Sequence, residues 1–207
     1  MINKIIICVI FILTTQIHAN SLYYNDKVSQ FKLLLNKKNK TIMMIGDSIT
    51  DRGLWNEILD RNDIINRGIN GDTTKGILNR LNQLNPSIKQ AYIMIGINDI
   101  LRDKSVPSIY NNYVKIIKIL KQKNINPIIQ STLYIGQKSE NIYNQKIKYL
   151  NNLLYSFAIT NKILFINLNK KLAPNNQLLS KYTLDGLHLN GQGYIEWAKM
   201  IKYTFKE

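Results

Sequence analysis

A parallel α/β sheet covered on both faces by helices is the fold class this sequence predicts. Three observations predict it. Short apolar runs alternate along the chain with longer segments of helical periodicity, the pattern that βαβ units leave in a sequence. The runs are apolar on successive residues, as strands buried on both faces are. The residues able to do chemistry fall just after those runs, where parallel strands gather working groups at their carboxyl ends. With 207 residues, 45% of them hydrophobic and 20% charged, the chain has room for one domain with a sizeable core.

The elements follow in order. A polar lead-in holds a helix around Val28 to Leu35. Thr41–Gly46 reads as a buried strand and Leu54–Arg61 as a helix. Asp63–Asn66 is a short strand, followed by a helix near Thr74–Leu84. Ala91–Gly96 is a strand, and Pro107–Lys123 is a long amphipathic helix. Pro107 suits its first turn, and Tyr110, Tyr113, Val114, Ile117 and Leu120 recur at helical spacing. Pro127–Thr132 is a strand, and Asn141–Ala158 is a helix with Ile147, Leu150, Leu153, Leu154 and Phe157 on one face. Ile163–Leu168 is the last strand, and Tyr194–Phe205 closes the chain as a helix. Nothing repeats and no linker divides the chain. Right-handed crossovers are expected throughout.

The N-terminus stands apart. Lys4 precedes an apolar stretch from Ile5 to Leu13, and a polar segment leads to Ala19. This is the layout of a secretory signal peptide over residues 1–19, leaving one domain over residues 20–207 and a periplasmic or secreted location. A retained anchor is the alternative, but the apolar stretch is short of the ~20 residues that span a bilayer. Cys8 is the only cysteine, so the exported part would have neither disulfide nor thiol chemistry.

The formal charge is +15. The lysines are spread along the chain without a dense block interleaved with aromatics, so a solvated basic surface is expected rather than a nucleic-acid binder. A mild preference for anionic substrates is compatible with that charge. With one histidine beyond the leader and no cysteine, a tetrahedral nitrogen and sulfur metal site is not expected, and no phosphate loop is present. No cofactor is implied.

Four places carry chemistry. Gly46-Asp47-Ser48 follows the first strand and places a hydroxyl just after a break in rigid backbone. Gly68-Ile69-Asn70-Gly71 follows the second, where the N–H of Gly71 can face developing negative charge. Gly96-Ile97-Asn98-Asp99 follows the third, and the Asn98 amide can donate to an oxyanion. Asp185-Gly186-Leu187-His188 lies beyond the fifth, a spacing that lets Asp185 hold one ring nitrogen of His188 while the other stays free. Each motif alone is also an ordinary turn. Asp47 and Asp99 are read as holding turns, and Trp55 and Tyr134 as core positions rather than pocket walls.

All four blocks in this order resemble the SGNH hydrolases, the GDSL-type esterase and lipase family, in its acetylhydrolase-like branch. The resemblance runs from Thr41 to the C-terminal helix. It implies a three-layer α/β/α sandwich with a five-stranded parallel sheet, the flavodoxin-like SGNH hydrolase fold. It implies Ser48 as nucleophile, His188 as general base and Asp185 as its orienting carboxylate. The backbone N–H groups of Ser48 and Gly71, with the Asn98 side chain, would form the oxyanion hole. The implied reaction is serine ester hydrolysis through an acyl-enzyme, with removal of acetyl from carbohydrate expected. Hydrolysis of longer chains, by a lysophospholipase or thioesterase, is the alternative. The expected partner is a small-molecule or glycan acyl ester. The sequence is silent on oligomeric state.

Overall fold

The computed structural model of the chain describes residues 22–82, 84–137 and 141–205. The expected signal peptide lies outside the described residues. Helix α1 covers 22–33. It is followed by β1 (Ile42–Gly46), α2 (Ser48–Asp51), α3 (Trp55–Ile58), β2 (Ile64–Gly68), α4 (Thr74–Arg80), β3 (Gln90–Met94) and α5 (Ile97–Leu101). Then come α6 (Val106–Gln122), β4 (Asn126–Gln130), α7 (Ile142–Thr160), β5 (Leu164–Ile166), α8 (Asn169–Leu172) and α9 (Gly191–Ile201). Short 3₁₀ turns span Ser180–Tyr182 and Lys202–Thr204.

The five strands are all parallel, in the order β2-β1-β3-β4-β5. The chain leaves β1 toward one edge and returns past it to β3. The crevice at the carboxyl ends of β1 and β3 is therefore the switch point where such sheets place their sites. Register makes those ends level: Gly46 stands opposite Gly68 on one side and Met94 on the other. All residues of β1 and β3 are buried, which requires cover on both faces.

Two helix layers supply the cover. Helices α4, α6 and α7 pack side by side on one face, while α3 and α8 pack against α9 on the other. On the second face Trp55 meets Trp197 and Tyr194 edge-on, with ring centroids 4.7 and 5.9 Å apart. The Trp55 indole N–H donates to the carbonyl of Thr50 at 2.9 Å, so this core residue also ties α3 to α2. On the first face Val106, Ile109, Tyr113, Ile116, Ile117 and Leu120 form the buried stripe of α6. Ser105 caps that helix and Pro107 stands in its first turn.

Every expected strand is present, with ends moved by a few residues. The expected helix over Leu54–Arg61 is a single turn, because the chain reverses at Asp60, whose φ is +51°. The closing helix begins earlier than expected, at Gly191, where the Asn190 side chain accepts from the N–H of Gly193. It passes into 3₁₀ geometry at Lys202. The one-turn helices α2, α5 and α8 are additions to the expected order.

Candidate active site

Ser48 is the first residue of α2, directly after β1. The turn is built by its neighbours. A Cβ on Gly46 would lie 2.3 Å from the carbonyl oxygen of Met94, so the strand can end this close to β3 only with glycine. Asp47 caps the short helix, accepting from the N–H of Ile49 at 3.0 Å. Ser48 is 4% exposed, yet its hydroxyl reaches the site: Oγ is 3.0 Å from Nε2 of His188.

His188 comes from the loop between the first 3₁₀ turn and α9. An antiparallel bridge from Thr183 to Leu189 pinches that loop, and the N–H of Asn190 donates to the carbonyl of Tyr182 at 2.9 Å. Within it, Asp185 Oδ2 is 2.6 Å from His188 Nδ1. Its other oxygen accepts the N–H groups of Leu187 at 2.9 Å and His188 at 2.8 Å. Gly186 makes this turn at φ +77°, where a side chain would be strained. The Thr183 hydroxyl donates to the His188 carbonyl and accepts from the N–H of Gly186. Partial burial works against the Asp185 charge, but the His188 ring and the two N–H donors outweigh it and hold the carboxyl far below its usual range. An ionised Asp185 fixes the imidazole with its proton on Nδ1. The Nε2 lone pair then faces the serine hydroxyl.

Gly71 and Asn98 complete the crevice. Gly71 has φ +73° in a turn closed by the N–H of Asp72 on the carbonyl of Ile69 at 3.0 Å. The Asn98 amide donates to the carbonyl of Asp72 at 3.0 Å, which leaves its second N–H for another acceptor. The backbone N–H groups of Ser48 and Gly71 have no partner among the described residues. The structure joins Ser48, His188 and Asp185 in one hydrogen-bonded line, and ties Asn98 to the turn of Gly71 through the Asp72 carbonyl.

Behind the donors lie buried carboxyls. Burial pushes Asp47 up to about 7, and the charges of Asp72 and Asp99 add to that; its Oδ2 has no hydrogen-bond partner. Burial also raises Asp72 against the opposing pull of Arg80, which it meets at 2.8 Å. Burial raises Asp99 against its bonds to the N–H and hydroxyl of Thr74, at 2.9 and 2.7 Å. Asp47 and Asp99 hold turns, as their sequence contexts suggest. Tyr134 is buried, and its N–H is held by Asn169 at 3.1 Å.

The supports of the site were harder to see in the sequence. Asn151 and Asn169 pin the segment after β4, accepting from the N–H groups of Thr132 and Tyr134 and donating to the Thr132 carbonyl. Arg80 is 8% exposed and ties Asp72 to the carbonyl of Arg67. Asn144 and Asn151 fall seven residues apart on the buried face of α7, so an amide within an apolar stripe was the available signal. The abundance of asparagine across the chain hides it.

Known proteins share this arrangement of elements. A Streptococcus pneumonia protein carrying a provisional platelet-activating-factor name superposes with TM-score 0.83 at 26% identity, over 93% of this chain and 98% of its own. A GDSL-like lipase from Bacteroides thetaiotaomicron does so with TM-score 0.78 at 26% identity, over 87% of this chain and 96% of its own. An acetylxylan esterase from Geobacillus stearothermophilus, at 17% identity and TM-score 0.68, shares the fold over 83% of this chain and 97% of its own. By sequence, the chain is 27% identical over 170 residues to an N-acylneuraminate cytidylyltransferase from Streptococcus agalactiae. That match takes in 82% of this chain but spans only 38% of the relative's length. The sequence profile of the GDSL-like lipase/acylhydrolase family matches residues 44–194, from within β1 to the first turns of α9, and so takes in every site residue named above. The chain therefore belongs to the GDSL-like lipase/acylhydrolase family.

Proposed function

We propose that this chain is an exported serine esterase that removes short acyl groups, acetyl first, from carbohydrate. The contact of Ser48 Oγ with His188 Nε2 at 3.0 Å, backed by Asp185 at 2.6 Å, carries the reading. His188 Nε2 takes the Ser48 proton as Oγ attacks the ester carbonyl. The carbonyl electrons move onto oxygen, which the N–H groups of Ser48 and Gly71 and the Asn98 amide receive. As the intermediate collapses, the bond to the alcohol oxygen breaks and His188 passes its proton to that oxygen. The freed alcohol departs from an acyl-Ser48. Water then attacks the acyl carbon, giving its proton to His188. The second collapse releases the carboxylic acid, and the proton returns to Ser48.

The choice of acetyl and of sugar rests on chemistry near this fold. A protein sharing the fold is an acetylxylan esterase, and the sequence relative is named for an acylated sugar. Export rests on the leader-like first residues. A chain-length series of p-nitrophenyl esters, with acetylated glycans and lysophospholipids alongside, tests the reading. Acetate should be the best ester, and octanoate or longer as the best would favour the lysophospholipase or thioesterase alternative. Ser48→Ala should lower turnover at least ~10³-fold while the circular dichroism spectrum is kept. Near-normal turnover in that variant would refute the mechanism.

A further inference from the structure

Arg102 stands four residues after Asn98, at the end of α5, which places the two on one helix face. Its side chain reaches the turn of Gly71: Nη2 donates to the Gly71 carbonyl oxygen at 2.9 Å. A Cβ built on Gly71 would lie 3.4 Å from the same nitrogen. The guanidinium thus spans from the helix that carries one oxyanion donor to the turn that carries another. It is exposed, and this is its one hydrogen bond among the described residues. A guanidinium has five N–H donors in a planar fork, a shape matched to a carboxylate.

The surrounding acids are engaged elsewhere. Asp72 is paired with Arg80, Asp99 is bonded to Thr74, and Asp103 is met by Lys146 at 3.1 Å. No carboxylate lies within ion-pair distance of Arg102 among the described residues. The Arg102 charge favours the ionised form of buried Asp99 from a distance, but its guanidinium is in no ion pair among the described residues, in a chain whose formal charge is +15.

We infer that Arg102 reads an anionic group on the substrate, so that the ester cleaved is one whose alcohol is an acidic sugar. This rests on the serine-esterase reading above and narrows its substrate. The bond to Gly71 turns one edge of the guanidinium toward the pocket wall and leaves the remaining N–H groups for the carboxylate. The ester carbonyl then falls among the donors of Ser48, Gly71 and Asn98. The added attraction is a charge-assisted hydrogen bond near the surface, and salt weakens it.

The test uses matched substrates: O-acetylated galacturonate and O-acetylated N-acetylneuraminate, each beside its own carboxamide. In the unaltered protein the acid should exceed the carboxamide in kcat/KM by about tenfold for at least one sugar, chiefly through KM. The ratio should shrink as sodium chloride is raised. In Arg102→Gln it should fall to near one, and Arg102→Lys should keep part of it. Equal rates on acid and carboxamide in both sugars would overturn the inference and leave the acetyl-esterase reading standing. An Arg102→Gln defect that lowers both forms in proportion would overturn it too, reducing Arg102 to a brace for the Gly71 turn. Failure of the acetyl reading shows separately, as a preference for p-nitrophenyl octanoate over acetate. The same pairs are then made with octanoyl, and the ratio decides as before.

Discussion

Asp47 is the residue where neighbours in sequence have opposed surroundings. Ser48 beside it reaches the crevice, while the Asp47 carboxyl is fully buried with one oxygen unpartnered. Burial raises it to about 7 from 3.8, its ordinary value when unfolded. Between those values the folded chain holds a proton that the unfolded chain has released. Stability therefore falls as pH rises through that window. Asp47→Asn removes this contribution and keeps an oxygen for the N–H of Ile49. The variant should gain thermal stability over the parent as pH climbs from 4 to 8, flattening the midpoint curve. Parallel melting curves for the two proteins across that range would show Asp47 ionised throughout and contradict the burial argument. Asp185 behaves oppositely, since its bonds to His188 favour the charge. Two aspartates at one site are thus driven apart by burial in one case and donors in the other.

Among elements, α7 does most to shape the site without contributing a group to the chemistry. Its Asn151 meets both the N–H and the carbonyl of Thr132 at 2.9 Å. Asn151→Ala would leave the Thr132 N–H unpaired in a buried place, while the Thr132 carbonyl keeps its bond from Asn169. Destabilisation of about 1–3 kcal/mol is expected, measured by urea unfolding. A change under about 0.5 kcal/mol would mean that this segment is held by something else. The same helix shows where sequence reading stopped. Its apolar residues announce a helix, and periodicity places Ile147, Leu150 and Leu154 inward. Leu153 and Phe157, expected on that face, are only partly buried, because Asn144 and Asn151 occupy the line that the loop after β4 needs. The strands were legible because a glycine or polar residue ends each apolar run. Helices α2, α5 and α8 were not, since one turn shows no period and is set by local bonds. For α2 that bond is from Ile49 to Asp47, which in sequence is only a turn-forming dipeptide. The pairing of Asp185 with His188 was legible because it is local. The brace of Arg80 across three elements was not.

Among the described residues the basic side chains lie almost all outside the core. Arg80 is the only lysine or arginine among the buried residues described, and the formal balance is +15. Like charges spread over a surface repel in the folded state and relax when the chain expands. Raising sodium chloride from 10 to 300 mM shortens the screening length from about 30 Å to under 10 Å. The melting midpoint at neutral pH should rise over that interval. A fall would point to attractive ion pairs outweighing the repulsion. Surface pairs such as Lys199 with Glu196 and Lys146 with Asp103 contribute little.

One contact of the site links its history to its form. Gly136, after β4, donates its N–H to the carbonyl of Gly186 at 2.6 Å, and a Cβ on Gly136 would lie 2.9 Å from the Gly186 Cα. The loop after the fourth strand and the loop bearing His188 therefore meet backbone to backbone, with no side chain to cushion them. A side chain on Gly136 would press on the other loop, whereas one on Gly186 would meet Gly136 at ordinary contact and be strained by its own φ of +77°. The sequence beyond Gly136 is thus freer to vary than Gly136 itself, whose replacement would push against the loop that carries His188.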